Sequence, residues 1–551
     1  MTGLERWDWL VIGLYFLGIA AIVWWSAKRQ KSSEDYFLAG RNIGWFVIGA
    51  SLFASNIGSE HLVGLAGAGA SSGVAMAHYE LHAWCLLVLG WVFVPFYSRS
   101  AVFTMPEFLE RRYNPASRWM LSLTSLVAYV FTKVSVTLYA GGIVFRALLP
   151  PEAFGGLDPF WVGALATVVL TGIYTVLGGL RAVVYTDSMQ AVVLIFGSIF
   201  VLIFGLAELG GWERFRTVCG SQYFNMWRPW NDPDFPWVGM LFGAPIVGLW
   251  YWCTDQYIVQ RTLAARGMKD ARRGTIWGAY LKLSPVLLFI IPGMMAFAML
   301  QTGQLKPEAM GHSDLAYPAL VKRLLPPGLR GLVVGALLAA LMSSLSSVFN
   351  SCSTLFTVDI YAKIRPNASQ RQLVRVGRIA TGAVVLLGLA WIPMMRYVSR
   401  GLYVYLQSVQ AYLGPPITAV FLLGVFSKRI NGKGALAGLI CGFALGMAKL
   451  AAQTVAGIDS ITAHLPEFIV AFGKFNFLYY CLILFGVSVT TVVLVSLLTP
   501  TPAVERINGL TYATTTGEGK EEIRRSWNKW DVIHTIIILS LIAAAYLYFT
   551  G

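Results

Sequence analysis

Charge is what this sequence has least of: Asp, Glu, Lys and Arg together make up 13% of its 551 residues, where an ordinary soluble domain carries about 25%. That shortage excludes a conventional water-soluble fold. Long polar stretches are missing too. The longest, 209–235, 302–330 and 499–529, are too short to bury a core of their own, so no soluble domain can be cut from the chain. Cysteine is sparse: Cys85, Cys219, Cys253, Cys352, Cys441 and Cys481 sit mostly inside apolar runs and never at CxxC spacing, which argues against a disulfide framework and a zinc site. No nucleophile and base pairing, metal-ligand cluster or phosphate loop stands at meaningful spacing, so enzyme chemistry is not expected. The start of the chain lacks a basic leader and a small-residue cleavage site, so the first apolar run is expected to stay.

What the sequence has is hydrophobicity, at 56% of residues and a mean hydropathy of +0.63, gathered in runs long enough to cross a bilayer. A hydropathy pass gives fourteen segments, near 8–27, 42–70, 76–97, 117–148, 158–178, 182–208, 236–258, 274–301, 331–362, 379–396, 401–426, 434–454, 474–498 and 530–549. The expectation is an all-α polytopic membrane protein. The net charge of +15 is spread over short loops, as cytoplasmic-loop charge is, and no nucleic-acid partner is expected. Most of these basic residues fall in loops 28–41, 98–116, 179–181, 259–273, 363–378, 427–433 and 499–529, which the positive-inside rule assigns to the cytoplasm, with both termini outside. The glycosylation wording Asn367-Ala-Ser369 then falls inside and is discounted. Short loops without a long insert point to a bacterial inner membrane as the plasma membrane in question.

Two segments are unlike plain spanning helices. Gly49 to His61 puts small, polar and ionisable residues in mid-run, and Pro245 to Gln256 does the same five segments later. Interrupted segments at matching positions in two halves are the signature of an inverted-repeat transporter whose broken helices line the binding site. The chain then divides into one extra helix at 8–27, a first repeat over 42–208, a second over 236–426, and further helices over 434–551 with a flexible cytoplasmic linker at 499–529.

Ionisable groups inside the bilayer are costly and mostly face a cavity or a partner. Asp187, Asp255 and Asp359 lie near segment ends, where a headgroup or a loop arginine can serve them. Glu80 and Lys282 fall well inside apolar runs; they are either a salt bridge between helices or a carboxylate and an ammonium able to grip the hydroxyls of a neutral polyol. Asn56, His61 and Gln407 add hydrogen-bonding groups, while Tyr79, Trp250, Tyr251, Trp252 and Tyr403 supply aromatic faces on the same segments. Ala340, Ser343, Ser344 and Ser347 share one helical face. That face serves either close helix packing or, with carbonyls freed by a broken helix, a hard monovalent cation.

The wording of Ser51 to His61 (SLFASNIGSEH), Met105 to Leu109 (MPEFL), Val184 to Asp187 (VYTD), Trp250 to Gln256 (WYWCTDQ), Leu341 to Ser344 (LMSS), Phe349 to Ser351 (FNS) and Tyr412 to Pro416 (YLGPP) closely resembles the sodium/glucose cotransporters of the solute:sodium symporter family. The likeness runs from about Glu34 to Pro500, in order and at matching spacings. It implies a leucine-transporter-type core of five plus five helices, the second to eleventh segments. It implies a sodium (Na+) site from the carbonyls of Ala54 and Ile57 with Ala340, Ser343 and Ser344, and a second sodium near Asp187, Ser343, Ser346 and Ser347. It also implies sugar contacts from Asn56, His61, Glu80, Tyr251, Lys282 and Gln407, with Tyr251 closing the site from the inside. Leu81, His82, Gly248 and Tyr403 depart from the family's usual residues. Ser59-Glu60-His61 is inositol-carrier wording, whereas Ser344 is glucose-type. The expected activity is sodium-driven uptake of a hexose, with myo-inositol symport or a non-accumulating sugar sensor or channel as alternatives.

Overall fold

Backbone groups in hydrocarbon must find partners within their own segment, so apolar runs of this kind can only be helices or a closed barrel. The computed structural model describes residues 4–28, 38–58, 60–148, 155–310, 312–398 and 401–551. Among these there are helices and no strand, only two isolated bridges, Ile43 to Ala265 and Asn225 to Thr550. The central part of the expected 28–41 loop, residues 29–37, and Ser59 lie outside the described residues.

All fourteen expected segments fall on helix, and eleven helices among the described residues are long and apolar enough to cross a membrane. The difference has three sources. The 42–70 segment is broken into Trp45–Asn56 and a second half that starts with the π-helical turn Glu60–Leu65 and continues as Ala66–Ser72. The 236–258 segment is broken between Trp250–Thr254 and Gln256–Leu263. The 158–178 segment falls short, its apolar helix running only over Pro159–Gly172. It is separated from its successor by one residue, Gly179, whose positive φ of 55° turns the chain where a side chain would be strained.

Burial separates a core from a periphery. The Leu329–Ile364 helix is buried over 89% of its apolar stretch and Leu402–Phe426 over 83%, against 28% for Arg6–Ala27 and 17% for Lys529–Tyr548. The two inner helices therefore pack on protein, and the chain's first and last helices largely face lipid. Leu329–Thr354 contacts Pro159–Leu209, Trp45–Asn56 and Arg6–Ala27, while Leu402–Phe426 packs on the upstream half of the second broken segment, Ala244–Leu249 with Trp250–Thr254, on the Glu60–Leu65 turn of the first, and on Gly432–Ala456 and Phe477–Leu497.

The 499–529 stretch is folded rather than a flexible linker. Arg506 donates to the Glu110 carbonyl at 2.6 Å, Tyr512 stacks on Phe426 and meets Phe96 edge-on, and the Gly517–Arg525 helix is capped by Thr516. Polar composition alone reads as a linker, because the contacts that anchor it come from residues distant in sequence, Glu110 and Phe96 about 400 positions away and Phe426 about 90.

At the other face the buried carboxylate of Asp8 pins the first helix to the core. It accepts Arg330 Nη2 at 2.6 Å and the backbone N–H groups of Gly328 and Gly331 at 2.8 Å. Gly331 is required for that approach, since a Cβ there would lie 2.4 Å from Asp8 Cα. Asp8→Ala, which leaves Arg330 only the longer contact to the half-exposed Glu5 at 3.4 Å, is expected to cost about 2–3 kcal/mol, and Gly331→Leu to lower the melting temperature comparably. Thermal unfolding in detergent, followed by retention of a monodisperse elution peak, checks both.

Candidate functional site

The first broken segment exposes backbone that a continuous helix would use up. Trp45–Asn56 ends at Ile57, whose φ of −83° and ψ of 85° leave the helical region, so the carbonyls of the last turn are freed from helical bonding. The helix closes with the Ile57 N–H bond to Phe53 O at 2.8 Å, and two of the carbonyls beyond it are reclaimed: Ser55 O accepts the Tyr257 hydroxyl and Asn56 O accepts Gly58 N–H at 3.0 Å. Asp255 caps the lower half of the second broken segment, accepting Tyr257 N–H and the Tyr129 hydroxyl.

Between the two breaks lies a small cavity lined by Asn56, His61, Tyr79, Tyr251, Trp252, Lys282, Tyr403 and Gln407, eight of the nine residues expected to bind substrate. The ninth, Glu80, stands directly behind them. Its carboxylate accepts Lys282 Nζ at 2.6 Å and the Tyr403 hydroxyl at 2.9 Å, with His61 Nε2 3.5 Å away. The cavity volume is about 30 Å³, room for a water or two and no more, so the arrangement is a closed one. Four buried polar atoms around it have no hydrogen-bond partner among the described residues: Tyr79 and Tyr251 hydroxyls, His61 Nδ1 and His82 Nε2. Buried polar atoms are nearly always paired, so four orphans around one cavity mark a place built for a ligand rich in hydrogen-bonding groups.

The lining also includes His82, Lys133, Val247, Gly248, Leu406 and Gln410, none of which the sequence singles out as a contact. Gln410 follows Gln407 by three residues on one helix, so the spacing was a signal. Gly248 keeps the wall open, since a Cβ there would lie 3.0 Å from Cys85 Sγ and 3.2 Å from His82 Nδ1. Lys133 reaches Glu60 Oε1 at 2.9 Å.

The serine face of Leu329–Thr354 meets the first break. Ser344 Oγ is buried without a partner among the described residues and lies 2.4 Å from where a Gly58 Cβ would stand. Ser343 donates to Asp187 Oδ1. Asp187 Oδ2 accepts Ser51 at 2.7 Å, Ser55 at 3.0 Å and Arg261 Nη2 at 3.3 Å, and the same Nη2 donates to Ser347 Oγ at 2.6 Å. The structure thus gathers Asp187, Ser343 and Ser347, but around a guanidinium that sequence reasoning counted only as loop charge. Ser346 stands apart, its hydroxyl turned back to Ser343 O of its own helix at 2.9 Å. Asp187 and Asp359 are both fully buried, each paired with an arginine, Arg261 and Arg118.

Two broken helices flanking a midplane cavity of orphaned polar groups define a secondary transporter with a leucine-transporter-type five-plus-five inverted-repeat core. The same architecture is found in a solved Na+-coupled sialic acid symporter in its substrate-bound outward-open state, at a TM-score of 0.73 and 24% identity, with 90% of this chain and 98% of that one covered. The model of the sodium:solute symporter family matches residues 36–442, and the chain belongs to that family. It is 42% identical to the sodium/myo-inositol cotransporter 2 of Mus musculus, over 93% of this chain and 80% of the relative, and 40% identical to the sodium/glucose cotransporter 1 of the same species, over 90% and 80%.

Arg261 is fully buried, so Arg261→Ala leaves Asp187 as a lone buried charge. A stability loss of about 3–5 kcal/mol is expected, with Arg261→Ala/Asp187→Asn recovering most of it. Thermal melts of the three proteins check the order.

Proposed function

We propose that the protein is a sodium-coupled symporter that takes up a neutral hexose, glucose or galactose, by alternating access. The observation that carries this reading is the ring of orphaned hydrogen-bonding atoms on Tyr79, Tyr251, His61 and His82 around the cavity backed by Glu80. A polyol supplies donors and acceptors together and satisfies such a ring. Glu80 and Lys282 neutralise one another at 2.6 Å, as do Glu60 and Lys133 at 2.9 Å; a charged solute would enter without a counter-charge and bear the full desolvation cost. The aromatic faces of Trp252, Tyr251 and Tyr403 suit the C–H faces of a sugar ring. Asn56, His61, Glu80, Lys282 and Gln407 are the proposed hydroxyl contacts, with Tyr79 beside them.

Sodium is assigned to Ser344, Ser343, Ala340 and the carbonyls of Ala54 and Ile57, which together join the first broken helix to the serine helix. An ion there favours the state in which those two elements are apposed, and a sugar that prefers the same state binds more tightly, as a population shift. Nothing in this cycle requires covalent chemistry. A charge moving through 100 mV releases about 2.3 kcal/mol and a tenfold gradient adds about 1.4 kcal/mol, so one sodium sustains a sugar gradient of several hundred-fold. A second sodium at Asp187, Ser343, Ser346 and Ser347 would square it, and would have to share Asp187 with Arg261. We also infer a bacterial plasma membrane, both chain ends outside, and repeats over 42–208 and 236–426.

Myo-inositol is the second reading, favoured by Glu60 and His61 beside the cavity and by the inositol-cotransporter relative at 42% identity. Uptake of labelled glucose, galactose and myo-inositol into proteoliposomes, with an inward sodium gradient and a potassium control, separates the readings. Sodium-dependent accumulation above equilibrium is expected, with a hexose preferred; folded protein that binds sugar without accumulating it is a sensor instead. Ser344→Ala is expected to raise the half-saturating sodium about tenfold, the loss of ~1.4 kcal/mol at one ligand. Gln407→Ala and Glu80→Gln are expected to raise the sugar KM about as much while sodium binding persists, read by labelled-sodium binding without sugar.

A further inference from the structure

The Glu60–Lys133 pair has no part in the contacts assigned above, yet it stands between the two proposed sites. Glu60 opens the second half of the first broken helix, and both its carboxylate and the Lys133 ammonium are buried. Only one carboxylate oxygen is used: Oε1 accepts Lys133 Nζ at 2.9 Å, while Oε2 is buried with no partner among the described residues. The Ser344 hydroxyl is likewise without a partner among the described residues. The two flank Gly58, where the point a Cβ would occupy lies 2.1 Å from Glu60 Oε2 and 2.4 Å from Ser344 Oγ. An acceptor-only oxygen and a hydroxyl thus face one another beside freed helix carbonyls, across a gap that only glycine leaves open. Hard cations are held by oxygen sets of this kind.

Lys133 looks the other way. It lines the cavity, and its Nζ sits 4.9 Å from the centre of the Tyr251 ring and 5.1 Å from that of Tyr257, within cation–π range of both. One carboxylate therefore serves a tethered cation on the sugar side and has a free oxygen on the serine side.

We propose that Glu60 is a charged member of the sodium site through Oε2, and that Lys133, sharing the same carboxylate, carries the presence of the ion to Tyr251 in the cavity. The inference rests on the symporter reading. A sodium ion on Oε2 repels the ammonium and weakens its hold on Oε1, so Lys133 leans toward the tyrosine rings and the cavity. A sugar hydroxyl that accepts from Lys133 does the reverse service, freeing the carboxylate for the ion. Each ligand thereby raises the affinity for the other, as linkage demands.

The test is binding of labelled sodium to the purified full-length protein, without and with saturating sugar. Glu60→Gln is expected to weaken sodium binding about tenfold or more, a coupling of ordinary size. Lys133→Met removes the competing cation and is expected to tighten it several-fold, while abolishing the effect of sugar on sodium affinity. The double variant leaves no lone buried charge and keeps the test open if either single variant fails to fold; it is expected to bind sodium more weakly than wild type and indifferently to sugar. Unchanged sodium affinity in Glu60→Gln, a parallel loss in Lys133→Met, or an undiminished sugar effect in the double variant overturns the proposal. Wild-type protein that binds sodium but accumulates no sugar overturns the symporter reading instead, and the two failures are distinct.

Discussion

The carboxylate of Glu80 is the point on which the centre of the molecule depends. It lies in the middle of a membrane-spanning region, fully buried, and meets Lys282 from one helix, Tyr403 from another and His61 from the broken segment. Three elements distant in sequence thus converge on one short side chain. As a stabilising device such a cluster is poor, because desolvating both charges consumes most of what their attraction returns, and apolar replacements of similar volume are often at least as stable. Its value lies in what it leaves at the surface of the cavity: an ammonium and a hydroxyl held in place, and a net charge of zero.

The same economy recurs in the neighbouring pairs. Asp187 is satisfied by three serines and Arg261, and one oxygen of Glu60 by Lys133. Asp187–Arg261 and Glu80–Lys282 join the first half of the chain to the second, whereas Glu60–Lys133 lies within the first. Charges that span the halves act as fasteners between bodies, and one that stays inside a half is free to respond to a ligand without parting them. The peripheral helices take no part in these pairs and contribute apolar surface toward lipid.

Much of this was legible in the sequence because the bilayer allows few solutions. Every apolar run had to be a helix, and a run carrying Asn56, Gly58, Glu60 and His61 could not be an uninterrupted one. Residue type also pointed to groups that the fold brings together: Lys282, Gln407, Tyr79, Tyr251, Trp252 and Tyr403 line one cavity with Glu80 bonded to Lys282, whereas Trp250 packs at Gly414. What escaped was decided by long side chains and by distant contacts. Arg261 stands beyond the expected end of its segment, and hydropathy cannot tell that it folds back 0% exposed onto Asp187. Lys133 lies within the 117–148 segment, but its partner and its tyrosine rings come from other segments. The 499–529 strap is polar enough to read as linker, and only its anchors on Glu110, Phe96 and Phe426 reveal otherwise.

The tightness of the closed cavity has a thermodynamic corollary. A space of about 30 Å³ must enlarge many-fold before a sugar ring can enter, and the first molecules to fill it are water. Opening is then a hydration reaction, drawing solvent into a region walled by low-dielectric protein. Solutes excluded from protein surfaces favour the compact partner in any such equilibrium, so the resting balance between closed and open forms is tied to the water activity of the cell's surroundings as well as to its ion gradients.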